Sequence, residues 1–216
     1  MPQRILTIVL LVGIAFGVIV LAAGTTSWRR PGNEQGYSPV QPVNYSHRLH
    51  AGELGIDCRF CHTAAEHGKH AGIPSADVCM KCHKYVTSSF ELLQQELNRA
   101  DEEQRKPSVV ISDDLGRLYA ALKIDDPQQP VTDPSAGIPW VRVHNLPDFV
   151  SFDHRAHVAA GVSCQKCHGP VESMDRVRQF ESLSMGWCVN CHREATQQGI
   201  NGRSVQASID CSTCHY

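Results

Sequence analysis

The segment Cys58-Arg59-Phe60-Cys61-His62 is the first of five copies of one short pattern, in which two residues separate a pair of cysteines and a histidine follows the second cysteine. The other copies are Cys79-Met-Lys-Cys82-His83, Cys164-Gln-Lys-Cys167-His168, Cys188-Val-Asn-Cys191-His192 and Cys211-Ser-Thr-Cys214-His215. All ten cysteines of the 216-residue chain belong to these pairs. The five copies therefore account for every thiol of the protein.

Each copy holds the residues that attach a c-type haem covalently. Two thiols three positions apart lie on one side of a helical turn, where they add across the two vinyl groups of one haem. The histidine that follows reaches the iron as its proximal ligand. We therefore predict five covalent haem c groups, whose irons are bound by His62, His83, His168, His192 and His215.

Zinc knuckles and a disulfide framework are the competing interpretations of C-x-x-C pairs. Both explain the cysteines but not the histidine that follows all five pairs. Thioredoxin-like chemistry uses one such pair per βαβ domain. We therefore favour haem attachment.

The composition offers little material for an ordinary apolar core. Only 6% of the residues are aromatic, and many of the aliphatic residues lie in the first 23 positions. If the remaining chain binds five haems, each haem has roughly 38 residues, too few for a separate apolar core around each. The predicted fold is thus a small multihaem cytochrome c, irregular with short α-helices and little or no sheet, whose core is made of haems. The net charge of -2 gives no reason to expect nucleic acid as a partner.

The amino-terminal segment predicts one transmembrane helix. Ile5 to Gly24 is a run of 20 residues without charge, which at ~1.5 Å per residue crosses a hydrocarbon core of ~30 Å. Arg4 before it and the small residues Ala22 and Ala23 also fit a cleaved signal peptide, but signal cores run only ~7–15 residues. We favour a retained anchor.

The haem motifs decide the orientation of this helix. Arg29 and Arg30 follow it, so the positive-inside rule favours the opposite topology. Because c-type haem is attached outside the cytoplasm, we predict a cell inner membrane protein with its haem region on the periplasmic side. Trp28 is then expected in the outer interfacial belt and Arg29-Arg30 as a stop-transfer flank.

Composition divides the chain into five segments. They are an anchor at 1–27, a Pro- and Gly-rich linker at 28–44, a two-haem module at 45–86, a spacer at 87–143 and a three-haem module at 144–216. In the spacer, Phe90, Leu93 and Leu97 have helical spacing, with Ser89 as N-cap and Pro107 as a stop. A second helix is predicted around Asp114 to Leu122.

A repeated aromatic-x-His-x-x-His unit supplies the predicted distal ligands. It occurs as Tyr45-Ser-His47-Arg-Leu-His50 and as Phe152-Asp-His154-Arg-Ala-His157. His47 and His154 lie ten or eleven residues before a haem motif and are expected to fold back over that haem. His50 and His157, one helical turn later, are expected to reach a neighbouring haem. Such six-coordinate irons are low-spin.

The fifth distal position has four candidates in the sequence, which are His70, His144, Met174 and Met185. His67 is expected to be solvated. Either methionine also fits as packing beside a porphyrin. A thioether ligand would raise the reduction potential of its haem above that of the bis-histidine haems.

Four phrases resemble the pentahaem cytochrome subunit of alternative complex III, a bacterial quinol:electron acceptor oxidoreductase; these are SHRLHAGELGIDCRFCH, HAGIPSADVCMKCHK, WVRVHNLPDFVSFDHRAHV and LSMGWCVNCHRE. The resemblance covers about Tyr45 to Arg193 except the spacer, and a looser one extends to the class III multihaem cytochromes c. It implies haems arranged in a wire. It also implies integral membrane quinol-oxidising subunits, an iron–sulfur protein and a monohaem cytochrome c as partners.

The expected function is electron relay from a quinol-oxidising membrane complex toward a periplasmic cytochrome c or terminal oxidase, without substrate turnover by the chain alone. No residue is predicted to be catalytic. One alternative is a free-standing, membrane-tethered quinol dehydrogenase or shuttle. Another is an enzyme with one open haem, although the chain has no variant motif such as C-x-x-C-K.

Overall fold

The computed structural model describes residues 2–27, 33–133 and 136–216, and this part of the chain is mostly helical. Its α-helices are α1 Pro2–Ser27, α2 Cys58–Cys61, α3 Ala76–His83, α4 Phe90–Glu102, α5 Asp113–Leu122, α6 His154–Ala160, α7 Gln165–His168, α8 Met185–Gln198 and α9 Cys211–Cys214. A π-helical turn at Arg48–Glu53 and 3₁₀ turns at Thr63–Glu66 and Val171–Ser173 complete the regular structure. Strand pairing among the described residues is limited to isolated bridges between Val150 and His215 and between Ile200 and Arg203.

Helix α1 is long and apolar enough to cross a membrane. Its segment Gln3–Leu21 has a mean hydropathy of 2.7 and packs against no other part of the protein. At 26 residues the helix measures about 39 Å. The expected interfacial Trp28 and the flank Arg29-Arg30 lie outside the described residues.

The spacer contains both predicted helices. Helix α4 starts after Ser89, whose side chain accepts the Leu92 N–H, so the predicted N-cap is confirmed. The helix ends at Glu102, five residues before Pro107. The helix ends before the predicted stop at Pro107 because the chain reverses direction after Glu102. Arg105 and the Ser108 N–H then both bind the Glu96 carboxylate.

The apolar core lies where α5 packs on the helix of the second haem motif. Its buried residues are Val43, Met80, Leu118, Tyr119, Leu122 and Ile124. In the part of the chain that is described, the other apolar side chains buried to the same degree are those of Ala100, Pro127 and Met174. The polypeptide thus builds one small core beside the second motif, in keeping with the fold class that the composition predicts.

Hydrogen bonds join the two haem modules. The Arg48 N–H donates to the Met174 carbonyl, and the His154 N–H donates to the Lys69 carbonyl. The linker also contacts the second module, because Gly36 donates to the Gln179 carbonyl and Gln179 donates to the Tyr37 carbonyl. The predicted modules therefore share a contact surface.

Candidate haem sites

Four of the five motif histidines face a second histidine from the repeated H-x-x-H units. The ring centroids are 6.5 Å apart for His47 and His62, 6.1 Å for His50 and His83, 6.4 Å for His154 and His168, and 6.0 Å for His157 and His192. The first histidine of each unit faces the motif that follows it, and the second faces the next motif along the chain. The spacing predicts the first histidine at its own motif and the second at a neighbouring one, and the role of these four histidines as distal ligands stays a prediction.

The ring separations suit an iron between two imidazoles. Metal–nitrogen bonds of about 2 Å on each side, with ring centroids a further ~1.1 Å away, give a separation of about 6 Å. Two rings in direct stacking contact would lie closer together than this. The four pairs therefore fit bis-histidine haem, with each iron between two Nε2 atoms.

Hydrogen bonds at Nδ1 leave Nε2 free in most of these histidines. Backbone carbonyls accept from Nδ1 in six of the eight paired rings, at 2.5–2.9 Å: those of His50, His62, His83, His154, His157 and His192. A carbonyl only accepts, so Nδ1 must carry the proton and Nε2 keeps its lone pair. This is the tautomer that an iron ligand requires.

One aromatic ring supports each H-x-x-H unit. Tyr45 meets His47 edge-on at 4.8 Å and stacks on His50 at 4.4 Å. Phe152 meets His154 edge-on at 4.8 Å and lies 4.6 Å from His157. The internal repeat is thus confirmed at the level of side-chain geometry, and the aromatic residue fixes the orientation of both rings.

Burial favours the neutral form of one ring in the first pair and one ring in the third motif. Burial lowers the pKa of His47 to about 4, with the neighbouring His62 adding to the effect. It lowers the pKa of His168 to about 3, with His144 nearby. Both rings are therefore neutral at pH 7, as metal ligation demands. The Nδ1 atom of His47 is buried without a hydrogen-bond partner.

The cysteines differ from those of redox or zinc sites. None of the ten forms a disulfide bond. Burial raises the pKa of Cys167 to about 11, and the neighbouring Cys191 and Cys188 add to this effect. An activated redox thiol or a zinc ligand needs the opposite shift. Within the described residues no group of three or more His, Cys, Asp or Glu side chains is arranged to hold a metal ion.

Cysteines of different motifs lie beside one another in a single file. Besides burial, the pKa of Cys61 is raised by Cys82, that of Cys58 by Cys164, that of Cys167 by Cys191, and that of Cys188 by Cys214. Such effects act over short distances. The order in space is thus second, first, third, fourth and fifth motif.

The fifth motif lies near the start of the second H-x-x-H unit. Val150 bridges to His215, the Ser151 N–H donates to the Cys214 carbonyl, and the Phe149 ring lies 5.7 Å from the His215 ring. None of the His–His ring contacts found among the described residues involves His215. The partner of this histidine therefore has to be sought among the remaining candidates.

The four candidates for the fifth distal position lie in different surroundings. Met174 is 8% exposed and packs inside the protein, whereas Met185 is 65% exposed on the first turn of α8. His70 is exposed, as is His67. Met185 lies three residues before Cys188, whose thiol neighbours Cys214. Met185 therefore lies on the helix whose motif neighbours the fifth motif.

The structure brings His144 to a position that its sequence spacing does not reveal. Its Nε2 lies 3.2 Å from Nδ1 of His168, and the two rings are nearly perpendicular. Burial lowers the pKa of His144, with a further contribution from His154. The sequence signal was only that His144 precedes His154 by ten residues.

Comparison with known proteins agrees with this chemistry. Residues 150–216, which hold three of the five motifs, match the family described as cytochrome c7 and related cytochrome c. Over 195 residues the chain is 24% identical to the menaquinone reductase multiheme cytochrome c subunit of Nitratidesulfovibrio vulgaris strain Hildenborough, covering 81% of this chain and 76% of that one. The chain is a mostly helical electron-transfer protein with a multihaem cytochrome c domain and covalent haem c.

Proposed function

We propose that the protein is a membrane-anchored electron-relay subunit with five haem c groups. The observation that carries this proposal is the single file of five attachment motifs, four of which have a second histidine at 6.0–6.5 Å. Bound haem supplies one-electron chemistry at each position. The role of the polypeptide is to hold neighbouring sites close together and to keep both axial nitrogens unprotonated.

Relay is favoured over catalysis at the haems. An iron held between two histidines has no open coordination position for a substrate. Four of the five motif histidines have a second histidine opposite them, which supports such ligation. A quinol pocket within the membrane needs several helices or apolar side chains that converge, and α1, the one described helix long and apolar enough to span a membrane, is unburied along Gln3–Leu21. Quinone chemistry is therefore assigned to partner subunits.

The partners proposed are those of alternative complex III: integral membrane quinol-oxidising subunits, an iron–sulfur protein and a monohaem cytochrome c. The sequence resemblance and the apolar helix α1 support this assignment. A second candidate reverses the electron flow, so that the chain delivers electrons to a menaquinone-reducing complex. The Nitratidesulfovibrio relative, a menaquinone reductase subunit, favours it.

Purification of the full-length chain from its membrane tests the relay proposal. We expect polytopic membrane proteins to co-purify, and five haems per chain by mass and by pyridine haemochrome assay. A purified chain that quinol reduces without any other subunit would support the free-standing dehydrogenase instead. A colourless chain would end the haem assignment.

The direction of flow is tested on the intact complex. Menaquinol added anaerobically should reduce the haems if the complex oxidises quinol, and the reduced haems should then pass electrons to a c-type cytochrome. Prereduced haems that are reoxidised by a menaquinone analogue, together with no reduction by menaquinol, would favour the reverse assignment.

The anchor is tested by one charge in the middle of α1. Val12→Arg places a charge at the centre of the helix, which costs roughly 2.5–3.5 kcal/mol of insertion free energy. We expect less haem-loaded chain in the membrane fraction, because a chain that is not inserted does not reach the periplasmic side, where haem is attached. Val40→Arg, at an exposed position of the linker, is the control and should leave the chain in the membrane. A mature mass that lacks residues 1–24 would show cleavage instead of anchoring.

A further inference from the structure

The third haem motif differs from the others in the acceptor that its proximal histidine uses. His62, His83 and His192 donate from Nδ1 to backbone carbonyls, of Gly72, Val86 and Ser208. His168 instead has the imidazole of His144 at its Nδ1. Three of the proximal histidines thus donate to a backbone carbonyl, which a side-chain substitution does not remove. The acceptor of His168 is itself a side chain, which a substitution can remove.

The geometry defines which ring donates. If Nε2 of His168 binds iron, its Nδ1 carries the proton and must donate, so Nε2 of His144 accepts. The perpendicular rings, with centroids 4.4 Å apart, suit a bond that points into the edge of the acceptor ring. An Nε2 that accepts this bond has its lone pair engaged and is not free to bind an iron.

Neighbouring contacts hold the His144 segment in place. The His144 carbonyl accepts from Nε of Arg142, and the amide of Asn145 donates to Glu34 in the linker. Six residues later, Val150 pairs with His215. The acceptor ring is therefore fixed from both sides along the chain.

We infer that His144 is a positioning residue for the third haem, which fixes the ring orientation of His168 and raises its basicity as an iron ligand. The inference rests on the proposed function, because it requires a haem on His168. A more basic axial ligand stabilises ferric iron, so His144 lowers the reduction potential of this haem. The third motif lies between the first and the fourth and links the two modules, so one side chain sets the potential of the haem that joins them.

Three substitutions at one position test this role. His144→Leu removes the acceptor, His144→Gln keeps a neutral acceptor, and His144→Glu supplies an anionic one. His67→Leu is the matched control, because His67 is exposed. Each variant is purified with its haems and titrated potentiometrically, while EPR of the oxidised protein counts the high-spin and low-spin haems.

We expect one of the five potentials to rise in His144→Leu, to stay near the native value in His144→Gln and to fall in His144→Glu, with every other haem unchanged. The number of low-spin haems should equal that of the native protein in all three variants. The Leu and Glu variants shift in opposite directions, so either of them tests the inference if the other does not mature.

Two results would overturn the inference. Five unchanged potentials in His144→Leu or His144→Glu would show that the His144–His168 contact does not influence the iron. A new high-spin haem would show that His144 is itself an iron ligand. Failure of the proposed function is recognised separately, because the native chain would then lack covalent haem by mass.

Discussion

The imidazole rings of His47 and His62 are parallel to within 2°, with their centroids 6.5 Å apart. The second unit repeats this relationship, since His154 and His168 are parallel to within 5° at 6.4 Å. At the equivalent position of the two units, the Ser46 hydroxyl accepts the Leu49 N–H and the Asp153 carboxylate accepts the Arg155 N–H. Two copies of one local sequence thus build two sites of the same geometry.

Removal of one distal histidine should change the spin state of one haem. His154→Ala leaves Cys164 and Cys167 intact, and thioether bonds do not need the distal ligand, so we expect five haems by mass and one high-spin signal by EPR. His67→Ala is the control and should give the native spectrum. A spectrum of His154→Ala that remains fully low-spin would show that His154 is not the ligand.

Much of the architecture was predictable because covalent chemistry leaves a strict sequence pattern. The C-x-x-C-H motifs predict where haem is attached, and the duplicated H-x-x-H units predict which histidines can face them. Helix α4 and its Ser89 cap follow from apolar spacing and from a hydroxyl at the N-cap. Helix α5, predicted around Asp114 to Leu122, spans Asp113–Leu122. These features depend on residues close together in the chain.

The features that the sequence did not reveal depend on contacts between distant residues. The pairing of His144 with His168 joins positions 24 apart, and nothing in the local sequence distinguishes an imidazole that binds iron from one that accepts a hydrogen bond. Likewise, the contact of Cys58 with Cys164 orders the motifs in space, although these residues belong to different modules. Sequence spacing carries no information on either contact.

The thioether of Met185 is expected to be the second ligand of the iron held by His215. Met185 lies one helical turn before Cys188, whose thiol neighbours the fifth motif. Met185→Leu should therefore convert one haem to high-spin, or lower one reduction potential if another side chain replaces the sulfur. EPR and a redox titration measure both outcomes.

Met174→Leu is the control for this substitution. Met174 is buried, and a Met-to-Leu change in a packed interior costs less than about 1.5 kcal/mol. Its five potentials should match those of the native protein. An unaltered titration of Met185→Leu would assign Met185 to packing.

Tyr119 should stabilise the second motif without tuning its haem. Its hydroxyl donates to the His83 carbonyl at 2.7 Å from within the apolar core. Tyr119→Phe leaves that carbonyl without its donor, so we expect the free energy of unfolding to fall by about 1 kcal/mol. Chemical denaturation measures the loss, and Tyr85→Phe, at an exposed ring, should show none. A change in haem content or in spin state would contradict a purely structural role.

Glu96 should make the stability of the spacer depend on pH under acidic conditions. Hydrogen bonds from Arg105 and from the Ser108 N–H lower the pKa of Glu96 from 4.5 to about 2. The native state therefore favours the ionised form, and this contribution to stability is complete above pH 4.5 and is lost as the pH falls toward 2.

Glu96→Gln should destabilise the protein at pH 7. The difference in free energy of unfolding between this variant and the native protein should shrink as the pH falls from 4.5 to 2. Denaturation curves at several pH values measure this difference. Glu91→Gln, on the exposed face of the same helix, should track the native protein throughout. The free energies of unfolding of Glu96→Gln and of the native protein could instead differ by the same amount down to pH 2. That result would mean that the charge of the Glu96 carboxylate does not stabilise the folded state.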